Sequence, residues 1–334
     1  MRAVVLVGGF GTRLRPLTST TPKQMLPVVD RPMIERVVRS LGDHGVTEAV
    51  LSLGYRPDAF IESYPDDTCA GVHLVYAVEP EPLDTAGAVR FAARAADIDD
   101  TFIVVNGDVL TDLDISALWS FHRERGGAGT IALTPVEDPS RYGVVPIDGD
   151  GRVLAFVEKP AAGTAPSNWV NAGTYVLEPE VLDRIDAGRR VSIERETFPG
   201  LAAENALFAV QSDAYWLDAG TPASYLQAQF DIIDGRRGRL EAAIHPSAAI
   251  DATATVEHSV VMAGASVGPG VELLDSVVLP GARLEAGSSI VGSIVGARSR
   301  IGAEARLRDL TVVGHEVEVA SGLELSGARI PEVE

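Results

Sequence analysis

Apolar residues recur at a nearly constant spacing through the last third of the chain, and this period limits the possible folds more than any other feature. Eleven of the fourteen steps between these positions are six residues long, and three are five. The positions are Ile244, Ile250, Val256, Val261, Val267, Leu273, Leu279, Leu284, Ile290, Val295, Ile301, Leu307, Val313, Val319 and Leu325. A hexapeptide period with small residues between the apolar positions predicts a parallel β-helix of about four to five coils, each of about 18 residues.

Residues 1 to about 235 follow a different pattern, in which short apolar runs alternate with helical spacing. The predicted strands are residues 3–8, 48–54, 73–79, 102–108 and 129–136, and the predicted helices are residues 33–45, 86–96 and 115–126. Strands that alternate with helices and are almost continuously apolar indicate a mostly parallel sheet with helices on both faces. We therefore predict an α/β catalytic domain over residues 1–235, a linker over 236–243 and the β-helix domain over 244–334.

Charge and composition narrow the possible partners. The formal net charge is −19, so the summed field of the protein repels polyanions, and we expect no nucleic-acid or anionic-membrane partner.

Cys69 is the only cysteine, which excludes an intramolecular disulfide and favours a cytoplasmic location. No apolar stretch of about 18 residues predicts a membrane span. The first predicted strand begins by Ala3, so we expect no signal peptide.

A glycine-rich loop follows the first predicted strand directly. Gly8, Gly9 and Gly11 lack a Cβ, so backbone N–H groups there can converge on a phosphate. A helix or turn that begins at Thr12 would add the partial positive charge of its N-terminus. The alternative is an ordinary turn between a strand and a helix, for which glycines alone are sufficient.

Cations close to this loop favour the phosphate-binding interpretation. Arg13, Arg15 and Lys23 stand within a short stretch of an otherwise acidic chain, and Arg13 and Lys23 can act as charge clamps on phosphates. The loop lacks the lysine and hydroxyl pair of a Walker sequence, and Leu14 stands where a dinucleotide-binding loop has its third glycine. We therefore expect a third manner of phosphate binding.

Two aspartates form a candidate magnesium site. Asp108 follows Asn106 and Gly107 at the carboxyl end of a predicted central strand, where ligands collect in open α/β sheets. Asp218 follows a second aromatic and apolar run. One carboxylate from each segment, together with phosphate oxygens, is a common way to hold Mg²⁺. Each aspartate alone is equally typical of a turn or a helix N-cap, so the pairing carries the metal prediction.

No side chains in the sequence form a recognisable nucleophile and general-base arrangement. The six histidines are scattered, and no Ser/His/Asp or Cys/His pattern is evident. If the reaction is attack by a sugar phosphate on an α-phosphate, no general base is needed, because that nucleophile is already an anion. Positioning and charge neutralisation by Mg²⁺, arginine and lysine are then sufficient for catalysis.

The segment LVGGFGTRLRPLTSTTPKQMLP, residues 6–27, resembles the signature of the nucleotide-sugar pyrophosphorylases, also called sugar-1-phosphate nucleotidyltransferases. The resemblance covers nearly the whole chain, with further similar segments in the family order at residues 81–89, 106–110, 142–145, 157–160, 171–185, 192–199 and 216–226. It implies a Rossmann-like nucleotidyltransferase domain with a mostly parallel mixed sheet, followed by a left-handed β-helix of hexapeptide repeats. Among the branches, residues 171–177, 192–199 and 216–222 look most like the mannose-1-phosphate guanylyltransferases.

The resemblance implies a reaction in which an NTP and a sugar-1-phosphate give an NDP-sugar and pyrophosphate, with GTP and mannose-1-phosphate as the expected pair. Arg13 and Lys23 would stabilise the transition state and the leaving pyrophosphate, and Asp108 and Asp218 would bind Mg²⁺. The implied nucleotide-binding residues are Leu6, Gly8, Gly9, Gly11, Thr12, Glu81, Thr85, Ala86, Gly87, Asn106 and Gly107. The implied residues for the sugar phosphate are Gly143, Glu158, Lys159 and Asn171.

Two departures leave the base open. Asp84 stands where guanylyltransferases usually have glycine, and it places a negative charge near the expected base site. The segment PKQMLPVVDRPMI, residues 22–34 and including Gln24, is closer to the thymidylyltransferase branch. The alternatives are therefore a thymidylyl- or uridylyltransferase acting on glucose-1-phosphate, and a non-catalytic paralogue that binds an NDP-sugar.

The uncovered last coil of a solenoid also favours a homo-oligomer formed through the β-helix.

Overall fold

A computed structural model describes residues 1–54, 56–238 and 240–332. The described residues form two compact units. The first unit contains Met1–Gly9 and Ile34–Trp216, and the second contains Phe10–Met33 and the described residues from Leu217 onward. The chain therefore passes from the first unit to the second within the glycine loop, between Gly9 and Phe10.

The elements that precede the β-helix agree closely with the sequence pattern. The strands are β1 (Arg2–Leu6), β2 (Pro27–Val28), β3 (Arg31–Pro32), β4 (Glu48–Leu53), β5 (Thr68–Cys69), β6 (Val72–Val78), β7 (Phe102–Asn106), β8 (Val109–Thr111), β9 (Gly129–Pro135), β10 (Gly143–Val144), β11 (Val157–Glu158), β12 (Trp169–Leu177), β13 (Leu207–Gln211) and β14 (Trp216–Asp218). The α-helices of the described residues are α1 (Met33–Asp43), α2 (Asp58–Ser63), α3 (Asp84–Ala95), α4 (Ile115–Arg125), α5 (Phe198–Ala203) and α6 (Pro222–Ile233). Each predicted strand and helix is found with its ends displaced by at most two residues.

The first unit is built on a mixed sheet. Strands β6, β4, β1 and β7 lie side by side and parallel, and β12 joins them antiparallel to β7. Strand β9 then pairs antiparallel with β12, and β13 runs parallel to β9. The residues of β1 and β7 that lie at the centre of the sheet are almost wholly buried, which is why these strands are continuously apolar. The prediction of a mostly parallel, mixed sheet is confirmed.

The second unit contains a stack of short parallel strands. They are β15 (Ala249–Ile250), β16 (Thr255–Glu257), β17 (Val260–Val261), β18 (Ser266–Val267), β19 (Glu272–Leu274), β20 (Val277–Val278), β21 (Arg283–Leu284), β22 (Ser289–Val291), β23 (Ile294–Val295), β24 (Arg300–Ile301), β25 (Arg306–Arg308), β26 (Val312–Val313), β27 (Glu318–Val319), β28 (Glu324–Ser326) and β29 (Arg329–Ile330). They form three parallel five-stranded sheets, as in a left-handed β-helix, and the predicted repeat architecture is confirmed.

The coils are shorter than the predicted length of 18 residues. Strand residues that pair across successive coils, such as Val261 and Val278, are 17 positions apart, because one side of each such coil has five residues instead of six. The pairings of Val295 with Val313, Ile301 with Val319 and Leu307 with Leu325 span 18 positions instead. The prediction that Leu279 is the inward residue of its coil is wrong. Val278 occupies that place in the core, while Leu279 is buried just outside the strand.

Buried hydroxyl groups stabilise the five-residue corners of the β-helix. The side chain of Ser259 accepts a hydrogen bond from the backbone N–H of Ser276 at 3.0 Å, and Ser276 in turn accepts one from the N–H of Ser293 at 3.0 Å. Each serine also donates to a nearby backbone carbonyl, as Ser276 does to Leu274 at 2.7 Å. The corners therefore leave few buried backbone groups without partners.

No helix in the described part of the chain has the length and apolar character needed to cross a membrane.

Candidate active site

The carboxyl ends of two central strands bring the first group of predicted residues together. Leu6 at the end of β1 lies opposite Asn106 at the end of β7, and the N–H of Gly107 donates to the carbonyl of Leu6 at 2.9 Å. Asp108 follows in the turn that leads to β8. Gly173 leaves room for Asn106, since a Cβ at Gly173 would lie 2.5 Å from Asn106 Nδ2. These residues therefore lie together at one edge of the sheet.

Gly8 and Gly9, which follow β1, form the open part of the glycine loop. Apart from the adjoining residues of the chain, no heavy atom of the described residues lies within 4 Å of the place where a Cβ would stand on Gly8 or Gly9. The φ of Gly9 is +109°, a conformation that side-chain-bearing residues rarely adopt. Both residues are exposed. A ligand can therefore approach this backbone closely.

Gly11 lies in the part of the loop that belongs to the second unit, and it is closely packed. Its φ is +59°, and a Cβ there would lie 3.0 Å from Thr18 Cγ2 and 3.2 Å from Lys23 Cβ. The hydroxyl of Thr18 donates to the carbonyl of Gly11 at 2.7 Å. A single 3₁₀ turn, Thr12–Leu14, follows directly, as the sequence predicted for a turn starting at Thr12. Gly11 therefore fixes the direction in which the turn leaves the loop.

Arg13 and Asp218 face each other in the second unit. Arg13 Nη2 lies 3.7 Å from Asp218 Oδ2, and the exposed fractions of the two side chains are 61% and 26%. The other oxygen, Asp218 Oδ1, accepts a hydrogen bond from the N–H of Gly220 at 2.9 Å. A Cβ at Gly220 would lie 2.6 Å from Arg13 Nη2, so this glycine makes the approach possible. The exposed guanidinium of Arg13 therefore lies beside a carboxylate that the N–H of Gly220 holds in place.

The predicted residues for the sugar phosphate meet on a small antiparallel ladder of the first unit. Gly143 lies opposite Glu158 in the pairing of β10 with β11, and a Cβ at Gly143 would overlap the ring of Phe156. Lys159 Nζ lies 3.1 Å from Glu158 Oε1, and the lysine side chain is 59% exposed. The backbone N–H of Lys159 donates to the carbonyl of Tyr142 at 3.0 Å. The ladder therefore presents a carboxylate and an ammonium group side by side.

Asn171 lies on the neighbouring strand β12. Val144 pairs with Val170, which places Asn171 beside the same ladder. Its Oδ1 accepts from the N–H of Gly173 at 2.9 Å, and its Nδ2 donates to the hydroxyl of Tyr175 at 2.8 Å. Burial raises the pKa of Tyr175, so this phenol remains neutral and can accept that bond. These bonds fix the orientation of the half-buried Asn171 side chain.

The segment predicted to hold the base has a different environment. The N–H groups of Ala86 and Gly87, in the first turn of α3, both donate to the carbonyl of Val191, at 2.9 and 3.3 Å. The N–H of Thr85 donates to Asp84 Oδ1 at 2.8 Å. Ala86 is fully buried. These three amides are therefore engaged within the first unit, whereas Glu81, before the helix, is exposed.

Residue Glu194 was not predicted as a site residue, although its segment was noted as a family match. Its Oε2 accepts hydrogen bonds from the hydroxyls of Thr85 at 2.7 Å and Ser192 at 2.9 Å. The hydroxyl of Thr85 also accepts from the N–H of Ile193 at 2.8 Å. Thr85 and Glu194 are 109 positions apart. No local pattern in the sequence reports such a contact.

An aromatic pair that the sequence does not indicate lies beside the antiparallel ladder of β10 and β11. The rings of Tyr142 and Trp216 meet edge to face with centroids 5.6 Å apart, and Trp216 Nε1 donates to the carbonyl of Ala172 at 2.8 Å. Aromatic residues in such short segments are equally typical of core packing. The sequence therefore gave no reason to assign them to a site.

Gln24, which made the base uncertain, is buried. Its side chain is 1% exposed, and neither amide atom has a hydrogen-bond partner among the described residues. Within the same described part of the chain, no three His, Cys, Asp or Glu side chains form a group that could hold a metal ion. Asp108 belongs to the first unit and Asp218 to the second, so their pairing stays a prediction.

Family comparisons agree with this fold. Residues 2–235 match the family described as "Nucleotidyl transferase", and residues 240–332 match the one described as "GMPPB C-terminal domain". The chain belongs to the nucleotidyl transferase family and is a nucleotidyltransferase.

Individual relatives extend the similarity over nearly the whole chain. A probable mannose-1-phosphate guanylyltransferase 1 of rice is 37% identical over 98% of this chain and 94% of its own length. The mannose-1-phosphate guanylyltransferase of Mycobacterium tuberculosis is 39% identical over 81% of this chain and 77% of its own. The solved structure of HddC from Yersinia pseudotuberculosis has a TM-score of 0.60 at 31% identity, covering 68% of this chain and 97% of that one. The same protein complexed with GMP-PN gives a TM-score of 0.58.

Proposed function

We propose that the protein transfers GMP from GTP to mannose-1-phosphate, which gives GDP-mannose and pyrophosphate. Relatives named as mannose-1-phosphate guanylyltransferases, similar over nearly the whole chain, support the choice of substrates. The solved HddC complex with GMP-PN supports a guanine nucleotide. The observation that carries the chemistry is the open backbone of Gly8 and Gly9, followed within five residues by the exposed guanidinium of Arg13.

In the proposed reaction, the phosphate of the sugar attacks the α-phosphate of the nucleotide. The nucleophile is an anion, so the protein needs no general base to activate it. Arg13 and Lys23 stabilise negative charge on the phosphates and on the leaving pyrophosphate. Gly8, Gly9, Gly11 and Thr12 supply backbone donors to the same phosphates.

The sugar phosphate is proposed to lie against the antiparallel ladder of the first unit. Glu158 accepts hydrogen bonds from sugar hydroxyls, and Lys159 meets the sugar phosphate. Gly143 supplies the space that a side chain would close, because a Cβ there would also stand 3.1 Å from Glu158 Oε2. Asn171 adds a donor and an acceptor whose orientation is already fixed.

The nucleoside is proposed to contact Leu6, Asn106 and Gly107 at the ends of β1 and β7. Glu81, Thr85, Ala86 and Gly87 complete the proposed base site. Since the amides of Ala86 and Gly87 already donate to Val191, we propose that this segment contributes shape and side-chain contacts rather than amide donors.

Magnesium is proposed as the metal cofactor, and the residues present fit it. Asp108 is half-buried at the sheet edge, and Asp218 has one carboxylate oxygen bonded to the N–H of Gly220. Mg²⁺ usually takes one or two protein carboxylates and completes its shell with phosphate oxygens and water, so a cluster of three acids is not required. When bound, the ion would neutralise charge on the phosphates. Asp108 and Asp218 would hold it.

The proposal is tested by turnover with defined substrates. The purified protein is incubated with Mg²⁺, each of GTP, dTTP and UTP, and either mannose-1-phosphate or glucose-1-phosphate, and pyrophosphate release is followed. We expect the highest kcat/KM with GTP and mannose-1-phosphate. Preferred turnover of dTTP or UTP with glucose-1-phosphate would support the alternative specificity. No turnover with any pair would support a non-catalytic protein that binds an NDP-sugar.

The role of the metal ligands has its own test. Asp108→Asn preserves the shape of the side chain and removes its charge, so we expect turnover to fall nearly to background while the melting temperature is kept. Asp112→Asn is the matched control, since Asp112 lies in the loop after β8 and is not a proposed ligand. Full activity of Asp108→Asn would remove Asp108 from the metal site.

We also propose that residues 1–235 are the catalytic domain, 236–243 a linker and 244–334 a β-helix domain through which the protein forms a homo-oligomer. The last coil of the β-helix leaves Leu323 43% exposed and Leu325 half-buried. Light scattering during gel filtration tests this assignment. We expect an oligomer for the full chain and a smaller species for Leu323→Asp, and a monomeric wild type would contradict it.

A further inference from the structure

The last coils of the β-helix contact the turn that carries Arg13. Arg329 in β29 donates from Nη1 to the carbonyl of Arg13 at 3.2 Å and also to the carbonyl of Arg15. All three residues belong to the second unit. The two carbonyls lie within and just after the 3₁₀ turn Thr12–Leu14. Carbonyls at the end of a helical turn lack partners within the turn, so an arginine there supplies the missing donors.

A second contact lies beside the first. A Cβ on Gly314 would stand 3.2 Å from Pro16 Cβ and 3.4 Å from Pro16 Cγ, so the proline ring packs directly on this glycine. Gly314 is itself held in the coil, because its N–H donates to the carbonyl of Ile330 at 2.7 Å. Strand β29 and the residue after β26 therefore present one continuous surface to Arg13, Arg15 and Pro16.

The chain around Arg13 is fixed on both sides of that surface. Leu14 and Leu17 are completely buried, and Thr18 bonds to Gly11 on the other side of the turn. The Arg13 side chain itself is 61% exposed and directed towards Asp218. The backbone of this cation is thus immobilised while its guanidinium remains accessible.

We propose that Arg329 is a positioning residue for the nucleotidyl transfer, acting through Arg13. By bonding the carbonyls of Arg13 and Arg15, it holds the turn in the orientation that presents the Arg13 guanidinium to the nucleotide phosphates. The inference rests on the proposed function, since it takes Arg13 as the phosphate-binding cation. It makes the last coil of the β-helix a part of the catalytic machinery rather than only an assembly module.

The test compares Arg329→Ala with Arg308→Ala in the full-length protein. Arg308 also belongs to the β-helix, but its ion pair is with Glu324 Oε2 at 3.1 Å. We expect Arg329→Ala to lower kcat at least about tenfold, because small displacements of a catalytic group are costly, with a smaller change in KM for the sugar phosphate. Arg308→Ala should keep the wild-type kcat. An unchanged kcat in Arg329→Ala would overturn the inference.

A conservative variant covers the case in which Arg329→Ala does not fold. Arg329→Lys keeps one charged donor and loses the planar fork, so we expect a smaller loss of kcat, about threefold, at an unchanged melting temperature. A wild-type kcat in this variant together with a misfolded Arg329→Ala would assign Arg329 a purely structural role and would overturn the inference.

A double-mutant cycle separates this inference from the proposed function. If Arg329 acts through Arg13, then Arg13→Ala combined with Arg329→Ala should be no slower than Arg13→Ala alone. Losses that multiply in the double variant would show that Arg329 acts on another group. Full turnover in Arg13→Ala would instead refute the proposed role of Arg13 itself. Low turnover in Arg13→Ala with normal turnover in Arg329→Ala would refute only the positioning role.

Discussion

The glycine loop after β1 and the first turn of α3 both place backbone amides and glycine in a segment expected to contact the nucleotide, but their amides are used differently. At Gly8 and Gly9 the backbone borders open space. In α3 the amides of Ala86 and Gly87 are occupied by the carbonyl of Val191. A helix or loop N-terminus attracts anions only while its N–H groups are available. Residue type alone therefore does not distinguish a phosphate-binding segment from a packed one.

The largest expected effect tests the open segment. Gly9→Ala forces a residue with a Cβ into φ +109°, which costs about 1–3 kcal/mol, and places a methyl group where the ligand would approach. We expect kcat/KM for the nucleotide to fall about 10- to 100-fold, measured by pyrophosphate release.

Gly71→Ala is the matched control for this change. Gly71 has φ +85° and equally open surroundings, but it lies in the turn between β5 and β6. Gly71→Ala should lower the melting temperature and leave kcat/KM for the nucleotide unchanged. Equal activity losses in both variants would show that the effect at Gly9 comes from strain alone.

The next effect tests the packed segment. A Cβ on Gly87 would lie 2.8 Å from Leu83 Cβ and 3.1 Å from the carbonyl oxygen of Arg189. Gly87→Ala should therefore destabilise the fold by about 1–3 kcal/mol. Thermal unfolding should show a lower melting temperature.

A second helical glycine provides the control for Gly87→Ala. Around a Cβ at Gly200 in α5, the described residues outside its own turn of helix place no heavy atom within 4 Å, so Gly200→Ala should leave the melting temperature unchanged or raise it. A Gly87→Ala variant that is fully stable but has a high nucleotide KM would contradict this assignment. It would show that the first turn of α3, and not only the glycine loop, is open to the nucleotide.

A smaller effect is expected at the hydroxyl that joins α3 to the segment around Glu194. Thr85→Val removes one donor to Glu194 Oε2 and one acceptor for the N–H of Ile193. We expect a loss of about 1–2 kcal/mol in the free energy of unfolding, together with a modest rise in the nucleotide KM because Thr85 belongs to the proposed base site. Chemical denaturation and steady-state kinetics measure the two quantities. Thr253→Val, at an exposed threonine bonded to Asp251, should change neither one.

The smallest effect provides a baseline within the β-helix. His258 Nδ1 lies 2.5 Å from Asp275 Oδ1 and its Nε2 lies 3.3 Å from Asp234 Oδ1. The hydrogen bond to Asp275, together with the charge of Asp234, raises the pKa of His258. Its stabilisation is therefore present below the unfolded-state pKa and is lost as the pH rises through the folded-state value.

His258→Asn measures this baseline. It should lower the melting temperature more at pH 5.5 than at pH 9, with a pH-dependent part below about 1 kcal/mol because the ring is largely exposed. Backbone strain at position 258 does not depend on pH and cancels in the difference between the two measurements. Turnover should be unchanged at both values. A pH-independent shift would contradict the assigned ion pairs.

The sequence predicted the β-helix well because each coil repeats one environment, so the apolar period accumulates evidence over many steps. It misplaced Leu279, since Val278 and Leu279 are adjacent apolar residues and only the five-residue corner decides which one faces inward. It also misplaced Ile244, which is 43% exposed. The position of Asn106 and Asp108 at the carboxyl edge of the sheet was predictable, because the carboxyl ends of parallel strands meet at the same edge. The contact of Thr85 with Glu194 was not, because it depends on how two distant segments pack.

One corner of the β-helix carries a residue more than its neighbours. The coil that runs from Val295 to Val313 has 18 residues, and the addition is absorbed by Asp309 and Leu310, which have φ values of +57° and +62°. The strands on either side keep their pairing, as Leu307 still lies opposite Leu325. This corner therefore accommodates one extra residue without changing which side chains face the core. A coil of 17 residues and a coil of 18 can thus stand in the same stack.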